Sequence, residues 1–259
     1  MENVNNPYQA PEADLDVPLE QKDLQFTDPQ KKSAGQGWQW IKSAFSLFKA
    51  SPGGWILTCL LGFIIMIAIN IIPLIGSIFM MLTTYVWGAG LVYGSQQVDK
   101  GEKFKVSYLF SGFKLAAGKL ILLSLLLSII SSVIMVASIG PVYLDLMMGN
   151  ENPEAFANID PQQFLLSGLI ATAFYIPMMM AVWFAPALII FHKTSIFNAL
   201  KLSFIGCLKN IIPFFIYSLI MIILMFLAMI PVGLGFLILM PVMFASLYTS
   251  YKAIFLKSA

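Results

Sequence analysis

Charged side chains are confined to short blocks along the 259 residues, and four long intervals carry none: Gly53–Val98 (46 residues), Leu120–Leu144 (25), Pro161–Phe191 (31) and Asn210–Tyr251 (42). A helix crosses the hydrocarbon of a bilayer in about 20 apolar residues. The first and last intervals are each long enough for two spans, dividing near Pro73 and Pro231, and the middle two hold one each. Backbone amides in lipid must find partners within their own segment, which makes each span α-helical. The pattern predicts six transmembrane helices near 53–72, 74–97, 119–140, 162–191, 211–230 and 232–254.

Just before spans one, three and five the period shortens to that of a one-sided helix. Trp38, Ile41, Phe45 and Phe48 share a face, with Gln39, Lys42, Ser46 and Lys49 around the rest. Val106, Leu109, Phe110, Phe113 and Ala117 form a second apolar stripe against Ser107, Ser111 and Lys114. Phe197, Leu200, Phe204 and Leu208 lie opposite Asn198, Lys201 and Lys209. Each stretch suits a helix lying in the membrane interface. Phe45-Ser46, Phe48-Lys49, Gly53 and Ile56-Leu57 match Phe110-Ser111, Phe113-Lys114, Gly118 and Ile121-Leu122 at a constant offset of 65 residues, and the third copy keeps mainly Leu208-Lys209. The expectation is an all-α polytopic membrane protein with six transmembrane helices in three parallel hairpins, each preceded by a cytoplasmic interfacial amphipathic helix. The repeats cover about 37–98, 104–191 and 194–256 of a domain over 36–259. Basic amphipathic loops alternating with spans would give a similar pattern without true repetition.

All 15 basic residues are lysine, and six spans put every one on the same side. The longest opposite loop, about 141–161, carries Asp145, Glu151, Glu154 and Asp160 and no lysine. The positive-inside rule then places both termini and every lysine in the cytoplasm. Residues 1–35 hold seven carboxylates and the run NPYQAP at Asn6–Pro11. They lack a signal-peptide pattern and read as a disordered acidic cytoplasmic tail, either solubilising or a recognition segment for a cytoplasmic partner.

Composition narrows the functional classes. Hydrophobic residues make up 59% and charged ones 11%, against roughly 25% charged in a soluble domain. Soluble enzymes are excluded, and a net charge of +2 implies no nucleic-acid partner. Cys59 lies inside the first span and Cys207 on the cytoplasmic side, so no disulfide is expected. Two cysteines and one histidine supply no metal or cofactor spacing.

The interfacial F-x-x-F-K segments feeding apolar hairpins, after the NPYQAP head and the Gly37-Trp38-Gln39-Trp40-Ile41 entry, resemble a group of gammaproteobacterial polytopic inner-membrane proteins. The Thr83-Thr84-Tyr85 run is similar to that of a threonine–tyrosine-rich trimeric inner-membrane protein of that group. The resemblance implies an inner-membrane homo-oligomer, a trimer, with a role in membrane or envelope homeostasis. It implies no reaction and no catalytic residue.

Every Asp, Glu and Lys sits at or outside a membrane interface, and His192 lies at the cytoplasmic end of span four beside Lys193. That removes the usual intramembrane proton site and any catalytic constellation, so the chain is not expected to be an enzyme. Hydroxyls and small residues remain. Thr83, Thr84 and Tyr85 lie near the bilayer midplane, about 15 Å into span two. Ser77, Thr84, Gly88 and Ser95 share one stripe, and Thr83, Trp87, Gly90 and Gly94 the next. Gly90-x-x-x-Gly94 permits close helix approach, and Ser124, Ser128, Ser131 and Ser138 form a narrow face of span three. Thr83, Thr84, Tyr85, Ser77 and Ser95 are the candidates for a polar pathway or oligomer axis. Gly88, Gly90, Gly94, Ser124, Ser128 and Ser131 are those for a packing seam, and either face could serve the other purpose.

Pro177, Pro186 and Pro241 should break their spans. Met178, Met179 and Met180 suit an adaptable packing surface or, alternatively, a methionine copper site. Tyr248, Thr249 and Tyr251 suit anchoring at the interface. Two functions fit these features: a channel- or transporter-like homo-oligomer influencing ion balance or transmembrane voltage, and a membrane scaffold or assembly factor recruiting partners through its tail and interfacial helices.

Overall fold

In the computed structural model, which describes residues 24–72, 74–140, 143 and 161–258, the chain is helical almost throughout. Helix α1 (Gln36–Ala50) ends at Ser51, whose backbone is non-helical. Pro52 then opens α2 (Pro52–Asn70) at a position where a missing N–H leaves no bond unmade. Helix α3 (Ile75–Asp99) returns, and a 3₁₀ turn (Val106–Phe110) leads into α4 (Ser111–Ile139). Helices α5 (Pro161–Val182) and α6 (Ala185–His192) form one apolar run with a break between them. Helices α7 (Ile196–Lys209), α8 (Ile211–Met229) and α9 (Phe236–Phe255) complete the membrane domain. Among the described residues, six segments are long and apolar enough to cross a membrane: α2, α3, Val106–Ser138, Leu165–His192, α8 and α9. The protein is an all-α polytopic membrane protein.

The second interfacial stretch differs from expectation. It is not a separate helix but the 3₁₀ turn plus the first residues of α4, whose axis breaks at Ala116 (φ −160°, ψ 38°). Ser51, where α1 gives way to α2, has φ −153° and ψ 60°. The two breaks are 65 residues apart, the offset at which the sequences align. Helix α7 likewise passes into α8 through a non-helical Asn210 (φ −123°, ψ 29°).

Helix α1 also differs. Its buried face is Gly37, Trp40, Ile41, Ala44 and Phe48, packed on α8 and α9, while Trp38 stays half exposed. Small residues make this docking possible: a Cβ on Gly37 would lie 2.2 Å from the Pro213 carbonyl oxygen. Helix α7 keeps an interfacial face, with Phe197 77% exposed and Leu208 50% exposed beside Lys201 and Lys209. Its Ala199, Ser203, Gly206 and Cys207 pack inward.

The largest fully buried side chains, Trp40, Trp55, Phe184, Tyr248, Tyr251 and Phe255, all lie toward the helix ends that carry the lysines. Tyr248 and Tyr251 are therefore core residues rather than membrane-surface anchors, and Thr249 Oγ1 donates to the Trp40 carbonyl at 2.8 Å. Toward the opposite ends, Ile71, Ile72, Phe226 and Ile230 face outward, as lipid-contacting side chains do.

Within the tail expected to be disordered over 1–35, the described residues 24–35 are ordered. Strand β1 (Leu24–Phe26) pairs antiparallel with β2 (Leu256–Ser258). Beyond it, Thr27 N–H donates to the Phe255 carbonyl and Gln30 N–H to that of Ile254, each at 2.9 Å. The last carbonyls of any helix lack intrahelical partners, and this segment supplies them for α9. The pairing brings both ends of the described chain to one side of the bilayer, as an even number of spans requires. Residues 1–23 with NPYQAP, Pro73, and residues 141–160 of the acidic loop apart from Tyr143 lie outside the described residues.

Candidate functional site

The mid-membrane hydroxyls sit on different faces of α3. Thr83 is buried; its Oγ1 donates to the Phe79 carbonyl at 2.7 Å and accepts the Trp87 indole N–H at 2.9 Å. Thr84 faces outward and donates to the Met80 carbonyl at 2.8 Å. Tyr85 is half-buried, Ser77 exposed, and Ser95 buried with its hydroxyl on the Leu91 carbonyl at 2.9 Å. Consecutive helical residues diverge by roughly 100°, so Thr83, Thr84 and Tyr85 do not line one path through the protomer. Thr84 borders a groove of about 260 Å³, otherwise lined mainly by apolar groups such as Trp87, Met240 and Phe244.

Of the seam candidates, Gly90 and Gly94 meet the loop and 3₁₀ turn that follow α3. A Cβ on Gly90 would come within 2.4 Å of the Leu109 carbonyl oxygen, and one on Gly94 within 2.4 Å of the Phe104 ring. Gly88 is looser, its nearest neighbour being Phe244 at 3.8 Å. Ser124 donates to the Leu120 carbonyl of its own helix at 3.0 Å, and Ser128 is half-buried. Ser131 donates to Met178 Sδ at 3.6 Å and so touches the methionine run beside Pro177.

Pro177 and Pro241 lie inside continuous helices, and the break falls instead before Pro186. There the Phe184 N–H donates to Ser203 Oγ at 2.9 Å, and that hydroxyl donates to the Met180 carbonyl at 2.8 Å. One serine on α7 thus satisfies both sides of the interruption. Among the described residues, no three His, Cys, Asp or Glu side chains gather as a metal site.

The lysine-bearing end holds the denser polar constellation. Asp99, the last residue of α3, accepts the Tyr248 hydroxyl at 2.8 Å and the Lys252 ammonium, both on Oδ2. This pair borders a cavity of about 460 Å³ between α1, α3 and α9, which Gln36, Gln39, Ser43 and Thr249 also line. His192 hydrogen-bonds Tyr251 through Nε2, and the Phe26 ring stacks on it at 3.9 Å. Asn210 is wholly buried; its Oδ1 accepts the Lys32 N–H at 2.8 Å, and its Nδ2 donates to the Gln30 carbonyl at 2.9 Å and the Gly206 carbonyl at 2.8 Å. Lys209 adds a bond to the Pro29 carbonyl at 3.0 Å.

In the loop after α3, hydrogen bonds from Lys105 and Tyr108 hold the Glu102 carboxyl below the usual carboxylate range, and Glu102 in turn raises Lys105. Burial pushes the Cys207 thiol up to about 12, which keeps it protonated and unreactive. Cys59 is also a free thiol.

Sequence reasoning missed Asp99, Lys252, Tyr248 and Asn210 as site residues. Asp99 and Lys252 entered it only as the charges that delimit apolar intervals. Asn210 had one usable signal, an amide at the junction of an amphipathic helix with a span.

No family model and no solved structure matches the chain. A probable inner membrane protein of Burkholderia thailandensis is 26% identical over 227 residues, covering 83% of this chain and 82% of the relative. That likeness and the six apolar helices agree on a multi-pass protein of the inner membrane.

Proposed function

We propose that this is a non-enzymatic inner-membrane scaffold supporting membrane or envelope homeostasis, which presents its acidic N-terminal residues from a fixed point on the cytoplasmic face. The clasp of residues 24–32 onto β2 and Asn210 carries this reading. A purely solubilising tail has no need of a buried asparagine holding its base, whereas a recruiting segment gains from a defined point of departure. The all-lysine face supports the cytoplasmic orientation, and the matching breaks at Ser51 and Ala116 support parallel repeated units. Complementation by a chain lacking Glu2–Asp23 tests the proposal in cells deprived of the gene and placed under membrane stress. This deletion spares the clasp. Normal expression with lost complementation is the expected result, and full complementation would overturn recruitment through the head.

A second reading, the channel- or transporter-like homo-oligomer, draws on Ser77 and Thr84, hydroxyls left on the outward face of α3. A second and third copy would be needed to enclose them, consistent with the trimer that the sequence resemblance implies. Ser77→Ala and Thr84→Val together, which remove the two outward hydroxyls, should then alter membrane voltage in cells while the oligomer mass in detergent is retained. An unchanged voltage would exclude this pathway.

A further inference from the structure

We infer that the cavity at the lysine-bearing end binds an aminophosphate zwitterion of the phosphoethanolamine type, the headgroup of a membrane phospholipid. The inference stands on the cavity and not on the scaffold reading. Both donors to Asp99 use Oδ2, and Oδ1 has no partner among the described residues. The side chains of Gln36, Gln39 and Ser43, which line the same space, likewise have no hydrogen-bond partner there. Lys252 gives one of its three N–H groups to Asp99 and keeps two. The cavity therefore offers a carboxylate oxygen and an ammonium side by side, with amides and a hydroxyl around them. Its volume, about 460 Å³, falls within the roughly 300–1,000 Å³ of small-ligand sites.

Charge and depth select the ligand. A zwitterion can lie against the Asp99–Lys252 pair with its ammonium on Oδ1 and its phosphate near Nζ, each charge facing its opposite. A headgroup of net negative charge would meet the Asp99 carboxylate, and a trimethylammonium has no N–H to give it. Asp99 lies 14 residues beyond Tyr85, which the sequence places near the midplane, or about 21 Å along the axis. That is outside the ~15 Å half-thickness of the hydrocarbon, at the level of lipid headgroups.

Native mass spectrometry of the full chain in non-ionic detergent provides the test. Palmitoyl-oleoyl phosphatidylethanolamine, phosphatidylcholine and phosphatidylglycerol are supplied in equal amounts, and glycerophosphoethanolamine in a separate arm. The ethanolamine lipid should be retained at least about tenfold over the other two, the range of one charge-assisted hydrogen bond. Asp99→Asn should erase that preference. Gln39→Leu, which leaves the ion pair intact and lies on an exposed face of α1, should lower retention even if Asp99→Asn fails to fold. Equal retention of the three lipids, or a preference untouched by both variants, would overturn the site. Glycerophosphoethanolamine binding as tightly as the lipid would support the same recognition chemistry and assign the source to the free headgroup.

Discussion

Replacing Asn210 by alanine isolates the clasp from the rest of the fold. The wild-type side chain satisfies the Lys32 N–H and the Gln30 carbonyl, and alanine leaves both without that partner. A typical hydrogen bond contributes about 0.5–1.5 kcal/mol net, and a buried group left unsatisfied costs about 1–3 kcal/mol. Lys209, Gln30 N–H and the β1–β2 ladder still hold the segment, so opening should become easier by about 2–3 kcal/mol rather than complete. That corresponds to roughly a 30- to 150-fold loss of amide-exchange protection over 24–32, with α8 and α9 nearly unchanged. Hydrogen–deuterium exchange in detergent or nanodiscs measures this directly. Unchanged protection at Gln30 and Lys32 would refute the role assigned to Asn210, and equal deprotection of α8 would make it a general packing residue instead.

Three further outcomes follow from the geometry. Gly90→Ala puts a methyl within 2.4 Å of the Leu109 carbonyl and should lower the melting temperature sharply, whereas Gly118→Ala, with nothing within 4 Å, should not; equal melting of the two variants would exclude the seam. Glu102 has a folded pKa depressed by its hydrogen bonds with Lys105 and Tyr108, so its contribution is present above the ordinary carboxylate pKa and lost as pH falls through the depressed value. Exchange protection over 102–108 should drop in that acidic window, and Glu102→Gln should remove the pH dependence. Single cysteines at Lys103 and Asn152, without Cys59 and Cys207, should label from opposite sides of the membrane; labelling of both from outside intact cells would refute the proposed topology.

The spans were legible because lipid imposes a rule that few other environments do: some 20 residues without charge, helical, between marked ends. The predicted 211–230 became Ile211–Met229 and the predicted 74–97 became Ile75–Asp99. The fate of α1 was less legible, since one stripe of a 3.6-residue period serves a membrane interface and a protein groove equally well. Of the predicted stripe, Ile41 and Phe48 are buried and Phe45 packs at the core edge, but the buried face turns away from Trp38 toward Gly37, Trp40 and Ala44. The discriminating residues were the small ones, Gly37 and Ala44, because only a backbone-to-backbone approach needs them. Nor could the clasp be read from composition. Leu24–Phe26 is a short stretch of an acidic segment, and what orders it is the row of carbonyls at the far end of the chain.

The site shows the same asymmetry between polar groups that can satisfy themselves and those that cannot. A serine or threonine in a membrane helix reaches the carbonyl four residues back, as Thr83, Thr84, Ser95 and Ser124 all do. A hydroxyl stripe in such a helix therefore carries little information about a pathway, because its hydrogen bond is already made. Asp99 and Lys252 have no such recourse. A carboxylate at the end of α3 finds charge and donors only by meeting another helix, and it does so at α9, 153 residues away. Read along the chain, these two residues look like punctuation between apolar intervals. In the fold they converge on one cavity, so the charge at the edge of a span points to a polar cavity where the hydroxyls at its centre do not.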